Sequence, residues 1–298
     1  MALGSSSYWR GKTVLIFGAG FSGKVFAKLA HDAGAEVFGT TRSPDAIAKN
    51  IRSYLNPVLF DGQTSNDLVD LIKRADVIVQ SIAPNEEGDP VLNALGKTLG
   101  TSNPGWMVYL STVGVYGNHD GAWVDETSEP RPVSKRSIQR VAAEEAWQQL
   151  ARANGAPLAV LRLSGIYGPG RNAFCNFEKG TARRLVKPGQ VFNRIHVDDI
   201  ARSLMFLGAQ QADGVFNVTD NEPAPPQDVV EYAALLMKVD VPPPIDFETA
   251  TLSPMARSFY GENKRVSNAK LKELGFTFDN PDYKTAFSRM WADDTWRG

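Results

Sequence analysis

The sequence predicts an α/β fold: a doubly wound parallel sheet with helices on both faces and a small C-terminal α/β domain. Residues Thr13 to Arg42 have the pattern strand, glycine cluster, helix, strand within about 30 residues. Alternating strand and helix patterns continue to Leu110, which favours a parallel sheet. A chain of 298 residues is long enough for one large domain with a smaller one attached.

The first strand and helix frame a nucleotide-binding pattern typical of a Rossmann fold. The apolar run Val14 to Phe17 predicts a buried strand, and Gly18, Gly20 and Gly23 follow in the spacing G-x-G-x-x-G. These glycines allow a sharp turn, close approach of the backbone to a pyrophosphate, and close packing of helix on strand. The helix N-terminus attracts phosphates. A glycine-rich turn without a ligand is the alternative. The expected cofactor contacts here are Gly18, Gly20, Phe21, Ser22 and Gly23.

The end of the second predicted strand, Glu36 to Gly39, indicates which dinucleotide binds. An NAD site has an Asp or Glu here for the ribose 2′-hydroxyl, whereas this chain has Thr40, Thr41 and Arg42. A guanidinium attracts a 2′-phosphate, and a carboxylate would repel it. We therefore expect NADP(H) rather than NAD(H), with Thr41 and Arg42 in contact with it. The alternative is that Arg42 is a solvated loop cation.

The following elements continue the alternation. They are a helix over 44–51, strand Pro57 to Phe60, helix Asn66 to Lys73, strand Asp76 to Gln80, a polar mobile loop Asn85 to Pro90, helix Val91 to Leu99 and strand Trp106 to Leu110. Ligands of such sheets bind beyond the carboxyl ends of the strands. The residues expected there are Asp61 near the adenine, Ser81, Ile82 and Ala83 over the ribose and phosphates, and Ser111. Asp61 is also a turn-forming residue.

The second half of the chain is more irregular. The predicted elements are helix Ser134 to Asn154, strand Leu158 to Leu163, helix Ile200 to Leu207 capped by Asp198, strand Val215 to Val218, helix Pro226 to Met237, a stiff connector Val241 to Ile245, helix Ala269 to Leu274 ended by Gly275, and helix Tyr283 to Trp291.

Composition excludes several classes of protein. The net charge is −1, so nothing favours nucleic acid or an anionic membrane surface. No apolar run has the length of a membrane span, and the N-terminal residues lack the apolar core of a signal peptide. The single cysteine, Cys175, predicts an inert thiol in a reducing compartment, hence a cytoplasmic protein. The three histidines are scattered, so no metal site is expected.

Several segments carry a family likeness because they occur together and in this order. They are LSTVGVYG, the helix with Glu144, LRLSGIYGPGR, HVDDIA, FNVTDNEP and SNAKLKELGF. Together they resemble the extended short-chain dehydrogenase/reductases of the nucleotide-sugar epimerase/dehydratase type. The resemblance implies an NADP-binding Rossmann domain of residues 1–165 plus about 196–218, and a substrate-binding domain of about 166–195 plus 219–298. It also implies that Ser164, Gly165 and Ile166 pass beside the nicotinamide.

The chain departs from this family at the catalytic positions. The family uses a Ser or Thr, a Tyr that transfers the proton, and a Lys four residues later. Thr112 matches the first position, but the pattern that begins at Pro132 places Arg136 at the Tyr and Arg140 at the Lys. Arginine does not deprotonate in proteins, so Arg136 is not a general acid or base, whereas Arg140 still suits the ribose hydroxyls. Because it lacks the Tyr and Lys pair, the chain resembles the atypical short-chain dehydrogenase/reductases.

Other side chains are candidates for the missing proton donor. Tyr116, Tyr167 and His196 are candidates, each with a structural role as the alternative. Arg136 and Arg171 suit an anionic substrate, or are surface cations. The catalytic set expected is therefore Thr112, Tyr116, Arg136 and Arg140.

Three functions remain open at this stage. One is an oxidoreductase or epimerase on a small carbonyl or sugar-like substrate, and another is a non-catalytic NADP(H)-sensing protein. The third is a non-redox isomerase or lyase. The sequence does not identify the substrate.

The helix Ser134 to Asn154 predicts a homodimer. It carries Ile138 and Trp147 on an apolar stripe, and in relatives the matching helix pairs with that of a second subunit. Trp147 is a large apolar group to leave in water. Burial of this stripe within the monomer is the alternative.

Overall fold

The computed structural model describes residues 6–45, 47 and 53–298. The chain forms two compact units. The first contains the chain up to Val115, Lys135–Arg162 and Ile200–Phe216, and the second contains Tyr116–Ser134, Leu163–Asp199 and Asn217–Gly298. The predicted domain boundaries differ from this division chiefly at Tyr116–Ser134, which group with the second unit.

The secondary structure alternates through most of the chain. Within the described residues the strands are β1 Thr13–Phe17, β2 Glu36–Thr41, β3 Asn56–Leu59, β4 Val77–Gln80, β5 Trp106–Thr112, β6 Trp123–Val124, β7 Leu158–Leu163, β8 Gly165–Tyr167, β9 Arg184–Val186, β10 Arg194–His196, β11 Gly214–Val218, β12 Pro244–Asp246 and β13 Arg265–Val266. The α-helices there are Ser6–Trp9, Phe21–Asp32, Asn66–Arg74, Pro90–Thr101, Lys135–Asn154, Ala173–Glu178, Val197–Ala209, Pro226–Met237, Pro254–Phe259, Ala269–Glu273 and Tyr283–Ala292.

A seven-stranded parallel sheet is the main architectural element, and it confirms the predicted fold class. Its strand order is β11-β7-β5-β4-β1-β2-β3. The register pairs Phe17 with Gln80 and Gln80 with Tyr109, and it pairs Ile16 with Gly39. The carboxyl ends of β1, β2, β4 and β5 therefore lie at one edge of the sheet, where ligands of such folds bind.

Each unit has its own apolar core. In the first unit, buried side chains from the sheet, such as Leu15, Ile78 and Met107, pack with residues of the flanking helices. Burial on both faces explains why these strands are continuous apolar runs. In the second unit, Phe174 and Phe287 lie in a cluster that also contains Cys175, which is buried.

Trp147 does not lie on an exposed stripe of the helix Lys135–Asn154. Its side chain is fully buried in the first unit and stacks on Tyr109, with ring centroids 6.3 Å apart. The argument for a homodimer from an exposed Trp147 is therefore wrong, and the alternative of burial within the monomer holds for this residue. Ile138 on the same helix is 54% exposed.

Several predicted elements need correction. The helix expected from Ile200 begins at Val197, so Asp198 lies in its first turn and does not cap it. The connector predicted up to Ile245 ends in β12, which pairs with β9. Short strands of the second unit, three residues or fewer in length, escaped prediction because they have no measurable periodicity. Most of the helix predicted over 44–51 lies outside the described residues.

The described residues contain no helix with the length and apolar character required to span a membrane.

Candidate functional site

The turn after β1, from Gly18 to Gly23, has the backbone geometry that the sequence predicts. Gly18 adopts φ of +81°, and a Cβ added there would lie 2.9 Å from Ile82 Cγ1. A Cβ at Gly23 would lie 3.3 Å from both Gly18 O and Ile16 Cγ2. The helix begins at Phe21, and its N-cap residue Gly20 supplies no side-chain cap. The start of this helix therefore suits a diphosphate, because the N–H groups and the dipole of a helix N-terminus attract anions.

The end of β2 lies against this glycine turn. Thr40 Oγ1 accepts a hydrogen bond of 2.8 Å from Gly18 N, and Thr41 ends the strand. Arg42 follows and is exposed. The contribution of Thr40 to the turn was not predicted, although its place directly before Thr41 and Arg42 was a usable signal.

Asp61 follows β3 and is also exposed. Its Oδ1 accepts a hydrogen bond of 3.0 Å from Gln63 N, which is the geometry of a turn-forming aspartate. This contact agrees with the turn-forming role, and the proximity to adenine stays a prediction.

The residues after β4 pack on the glycine turn through Ile82. Ile82 N would lie 3.3 Å from a Cβ on Gly18, and it donates a 3.0 Å hydrogen bond to Gln80 Oε1. Ser81 N donates to Phe17 O at 2.9 Å. The structure therefore brings Ser81 and Ile82, with Ala83 next in the chain, to the same edge as Gly18.

The end of β5 is supported by a buried charged network. Ser111 Oγ donates to Glu144 Oε1, and Arg162 NH2 donates to Glu144 Oε2 at 2.8 Å. The side chains of Glu144 and Arg162 are only 4% and 6% exposed. A buried carboxylate needs such partners because it has lost its hydration. Sequence reasoning missed this pair, although Arg162 inside the apolar strand LAVLRL was a sign of a buried charge that requires a counterion.

Thr112 lies next to the first turn of the helix Lys135–Asn154. A Cβ on Gly114 would lie 3.0 Å from Ser137 Oγ and 3.4 Å from Thr112 Oγ1, so the turn after β5 packs closely on the helix start. Arg136 lies in that helical turn and is exposed. Arg140, one turn later, donates to Leu110 O at 2.7 Å and to Tyr109 Oη at 3.1 Å. The structure thus brings Thr112, Arg136 and Arg140 to the end of β5.

Comparison with known proteins identifies the family. The model of the NAD dependent epimerase/dehydratase family matches residues 14–219. The chain belongs to the NAD dependent epimerase/dehydratase family. This membership confirms the resemblance to extended short-chain dehydrogenase/reductases.

Three similar proteins cover nearly the whole chain. A functionally unknown conserved protein from Silicibacter pomeroyi has a solved structure that is 45% identical, covers 95% of this chain and 99% of its own, and has a TM-score of 0.87. Protein YeeZ of Escherichia coli K12 is 27% identical over 286 residues, which are 91% of this chain and 97% of YeeZ. Human epimerase family protein SDR39U1, solved with NADPH, is 18% identical, covers 94% and 99% of the two chains, and has a TM-score of 0.72. At that identity it shows the fold alone.

In this epimerase/dehydratase chain, Tyr116 is held inside the second unit. Its side chain is fully buried, and its hydroxyl donates to Asn217 Oδ1 at 2.8 Å. The Tyr116 carbonyl oxygen also lies 3.1 Å from His119 Nε2. These contacts agree with the structural alternative for Tyr116, and its catalytic role stays a prediction.

The segment predicted beside the nicotinamide forms backbone hydrogen bonds within the second unit. Ser164 N donates to Val218 O at 3.2 Å, and Gly165 N donates to Asn193 O at 3.0 Å. Ile166 lies in β8 and pairs with Ile195 of β10. The N–H groups of Ser164 and Gly165 thus already have acceptors, which leaves other atoms of this segment for a carboxamide.

Tyr167 and His196 of the second unit are buried and lie edge to face, with ring centroids 5.3 Å apart. Burial raises the pKa of Tyr167 well above its usual value, so its hydroxyl stays protonated. Burial also lowers the pKa of His196, although Asp198 and Asp199 act in the opposite direction. Asp198 N donates to His196 Nδ1 at 3.3 Å, and Asp198 Oδ2 lies 3.6 Å from the same nitrogen.

Arg171, the other candidate anion ligand, is exposed. Its backbone forms a β-bridge with Gly168, and in this bridge each N–H donates to the carbonyl oxygen of the other residue at 3.0 Å. Its role in substrate binding stays a prediction.

Proposed function

We propose that this chain binds NADP(H) in its first unit and acts as an oxidoreductase or epimerase on a small carbonyl or sugar-like substrate. The observation that carries the proposal is the turn after β1, in which Gly18 and Gly23 pack closely on their neighbours and the helix begins without a side-chain cap. That shape suits a diphosphate. Membership of an NAD-dependent family supports the same ligand class.

Preference for NADP(H) is supported by the charge at the end of β2. Arg42 is exposed directly after the strand, and the residues Thr40 to Arg42 include no carboxylate. A guanidinium binds a phosphate through paired, charge-assisted hydrogen bonds. The related fold of SDR39U1 holds NADPH in its solved structure.

Two residues of the proposed catalytic set, Arg136 and Arg140, are assigned to ligand binding and not to proton transfer. An arginine side chain has hydrogen-bond donors and no acceptor, so we assign Arg136 to an anionic substrate group and Arg140 to the ribose hydroxyls. Thr112 would hold the substrate oxygen, and Tyr116 is the proposed proton donor. The second unit would supply most of the substrate contacts, and we keep the homodimer and cytoplasmic location as parts of this proposal.

The test of cofactor binding is calorimetric titration of nucleotide-free protein with NADPH and with NADH. Arg42→Ala should weaken NADPH binding about tenfold to hundredfold, because one charge-assisted contact is lost, and should leave NADH binding unchanged. Arg152→Ala is the matched control, since Arg152 is exposed at the far end of the helix Lys135–Asn154. Tighter binding of NADH than NADPH by the natural sequence would contradict the proposed preference.

The second candidate function is a non-catalytic NADP(H)-sensing protein. The replacement of the usual Tyr and Lys by Arg136 and Arg140, together with the buried hydroxyl of Tyr116, favours it. A screen of carbonyl, alcohol and imine compounds with NADP(H) separates the two. Turnover that is lost in Thr112→Ala supports the enzyme, whereas nucleotide binding without turnover of any compound supports the sensor.

A further inference from the structure

A chain of buried hydrogen bonds in the first unit links the glycine turn to the helix Lys135–Asn154. We infer that its central residue, Asp89, is a positioning residue that fixes the loop after β4 for the nucleotide. This inference rests on the proposed binding of NADP(H) by the first unit. Asp89 belonged to a loop that the sequence predicted to be mobile, yet its side chain is buried.

The first step of the chain is the contact between Ile82 and Gly18. Ile82 Cγ1 and Ile82 N lie 2.9 Å and 3.3 Å from the place of a Cβ on Gly18. Ile82 therefore occupies the space beside Gly18 that a side chain would need. The position of Ile82 thus limits the room beside the turn that is proposed to hold the diphosphate.

The second step is the side chain of Gln80, which is fully buried. Its Oε1 accepts from Ile82 N at 3.0 Å, and its Nε2 donates to both carboxylate oxygens of Asp89, at 3.0 Å and 2.8 Å. An amide has one accepting and one donating end. The Asp89 carboxylate therefore orients Gln80 so that its oxygen faces Ile82.

The third step connects Asp89 to two helices. Its Oδ1 caps the helix Pro90–Thr101 by accepting from Val91 N at 2.9 Å and Leu92 N at 3.1 Å. Its Oδ2 accepts from Trp147 Nε1 at 3.0 Å. Trp147 lies on the helix that also carries Arg140, so one carboxylate connects the loop after β4 with that helix.

The two oxygens of Asp89 make different sets of contacts. Oδ1 caps the helix and Oδ2 accepts from Trp147 Nε1, whereas both oxygens accept from Gln80 Nε2. A helix cap by itself does not need a carboxylate, because Asn caps as well as Asp. Oδ2 accepts from Trp147 Nε1 and from Gln80 Nε2, and Gln80 in turn accepts from Ile82 N.

Asp89→Asn tests this assignment. Its amide oxygen keeps the helix cap, but its NH2 group faces the donors of Gln80 and Trp147. We expect NADPH affinity, measured by fluorescence titration, to fall about tenfold, together with a fall in Tm because Trp147 Nε1 loses its acceptor. Gln80→Met, which removes the acceptor for Ile82 N and leaves the cap intact, should cause a similar loss and decides the matter if Asp89→Asn does not fold.

The reversed pair Gln80→Glu with Asp89→Asn provides a rescue experiment. The new carboxylate accepts from the new amide and still accepts from Ile82 N, so we expect most of the NADPH affinity to return. Recovery of Tm in this pair without recovery of NADPH affinity would show a purely structural role of Asp89 and would overturn the inference. Unchanged affinity in Asp89→Asn and Gln80→Met, or no recovery in the reversed pair, would overturn this inference alone. Failure of the natural sequence to bind either nucleotide would overturn the proposed function and this inference with it.

Discussion

The turn after β1 and the turn after β5 lie at the same edge of one sheet but are stabilised by different means. The turn after β1 depends on glycine residues, which allow close packing because they have no side chain. Gly18 packs against Ile82, and Gly23 packs against Ile16. The turn after β5 depends on charged side chains, since Ser111 donates to Glu144, which is paired with Arg162.

This difference lies in what each turn requires of the sequence. The first turn is shaped by Gly18 and Gly23 with the side chain of Thr40, and the glycine pattern can be recognised in the sequence. Near the second turn, Arg136 and Arg140 stand where the family resemblance implies a Tyr and a Lys, and the buried pair of Glu144 and Arg162 is present.

The largest expected effect comes from breaking the support of the second turn. Glu144→Gln removes the negative charge that is paired with the buried guanidinium of Arg162. The free energy of unfolding should fall by about 3–5 kcal/mol, as measured by urea denaturation.

The exposed pair Lys28–Asp32, with an N–O distance of 2.7 Å, provides the control. Asp32→Asn should cost less than about 1 kcal/mol because solvent screens that pair. Equal losses in the two variants would show that burial of Glu144 contributes nothing.

A smaller effect on stability is expected at the first turn. Gly18→Ala places a Cβ at φ of +81° and 2.9 Å from Ile82 Cγ1, which should cost about 1–3 kcal/mol and prevent measurable NADPH binding. Gly11→Ala separates the cost of a positive φ from the cost of close packing. Gly11 has φ of +73°, and an added Cβ there would have no neighbour within 4 Å. If both variants lost the same stability and both bound NADPH, close packing of Gly18 would have no role.

The smallest effect is expected for Thr112, whose Oγ1 accepts from Gly114 N at 3.1 Å. Thr112→Val keeps the shape and removes this acceptor, so the free energy of unfolding should fall by about 1 kcal/mol. Thr112→Ser should remain near the natural value in the same urea denaturation. If Thr112→Val had the same free energy of unfolding as the natural sequence, the contact between Thr112 and Gly114 would not stabilise the turn after β5.

The sequence was sufficient for the parts of the sheet that depend on local patterns. Strand β4 was predicted as Asp76–Gln80 and observed as Val77–Gln80, because a buried parallel strand is a continuous apolar run. The network under β5 could not be predicted in the same way, since Ser111 and Glu144 are 33 residues apart and Glu144 and Arg162 are 18 apart. Such pairs depend on the tertiary fold, which spacing alone does not encode.

The second unit was the harder part to predict. Strands β8 and β10 have three residues each, and they pair Gly165 with Arg194, far apart in the chain. Short segments of this kind have too few residues for a period to appear. Among the candidate proton donors, burial of Tyr116 and Tyr167 was also beyond the sequence, since a VYG or IYG motif does not show where the ring lies.

The division of the chain into two units has a consequence for fragment studies. The chain passes from one unit to the other after Val115, Ser134, Arg162, Asp199 and Phe216. No single truncation therefore yields either unit whole, and a stop codon anywhere between Val115 and Phe216 removes pieces of both. Separate production of the first unit would require its three segments to be joined by two new linkers, because none of these segments follows another directly in the chain.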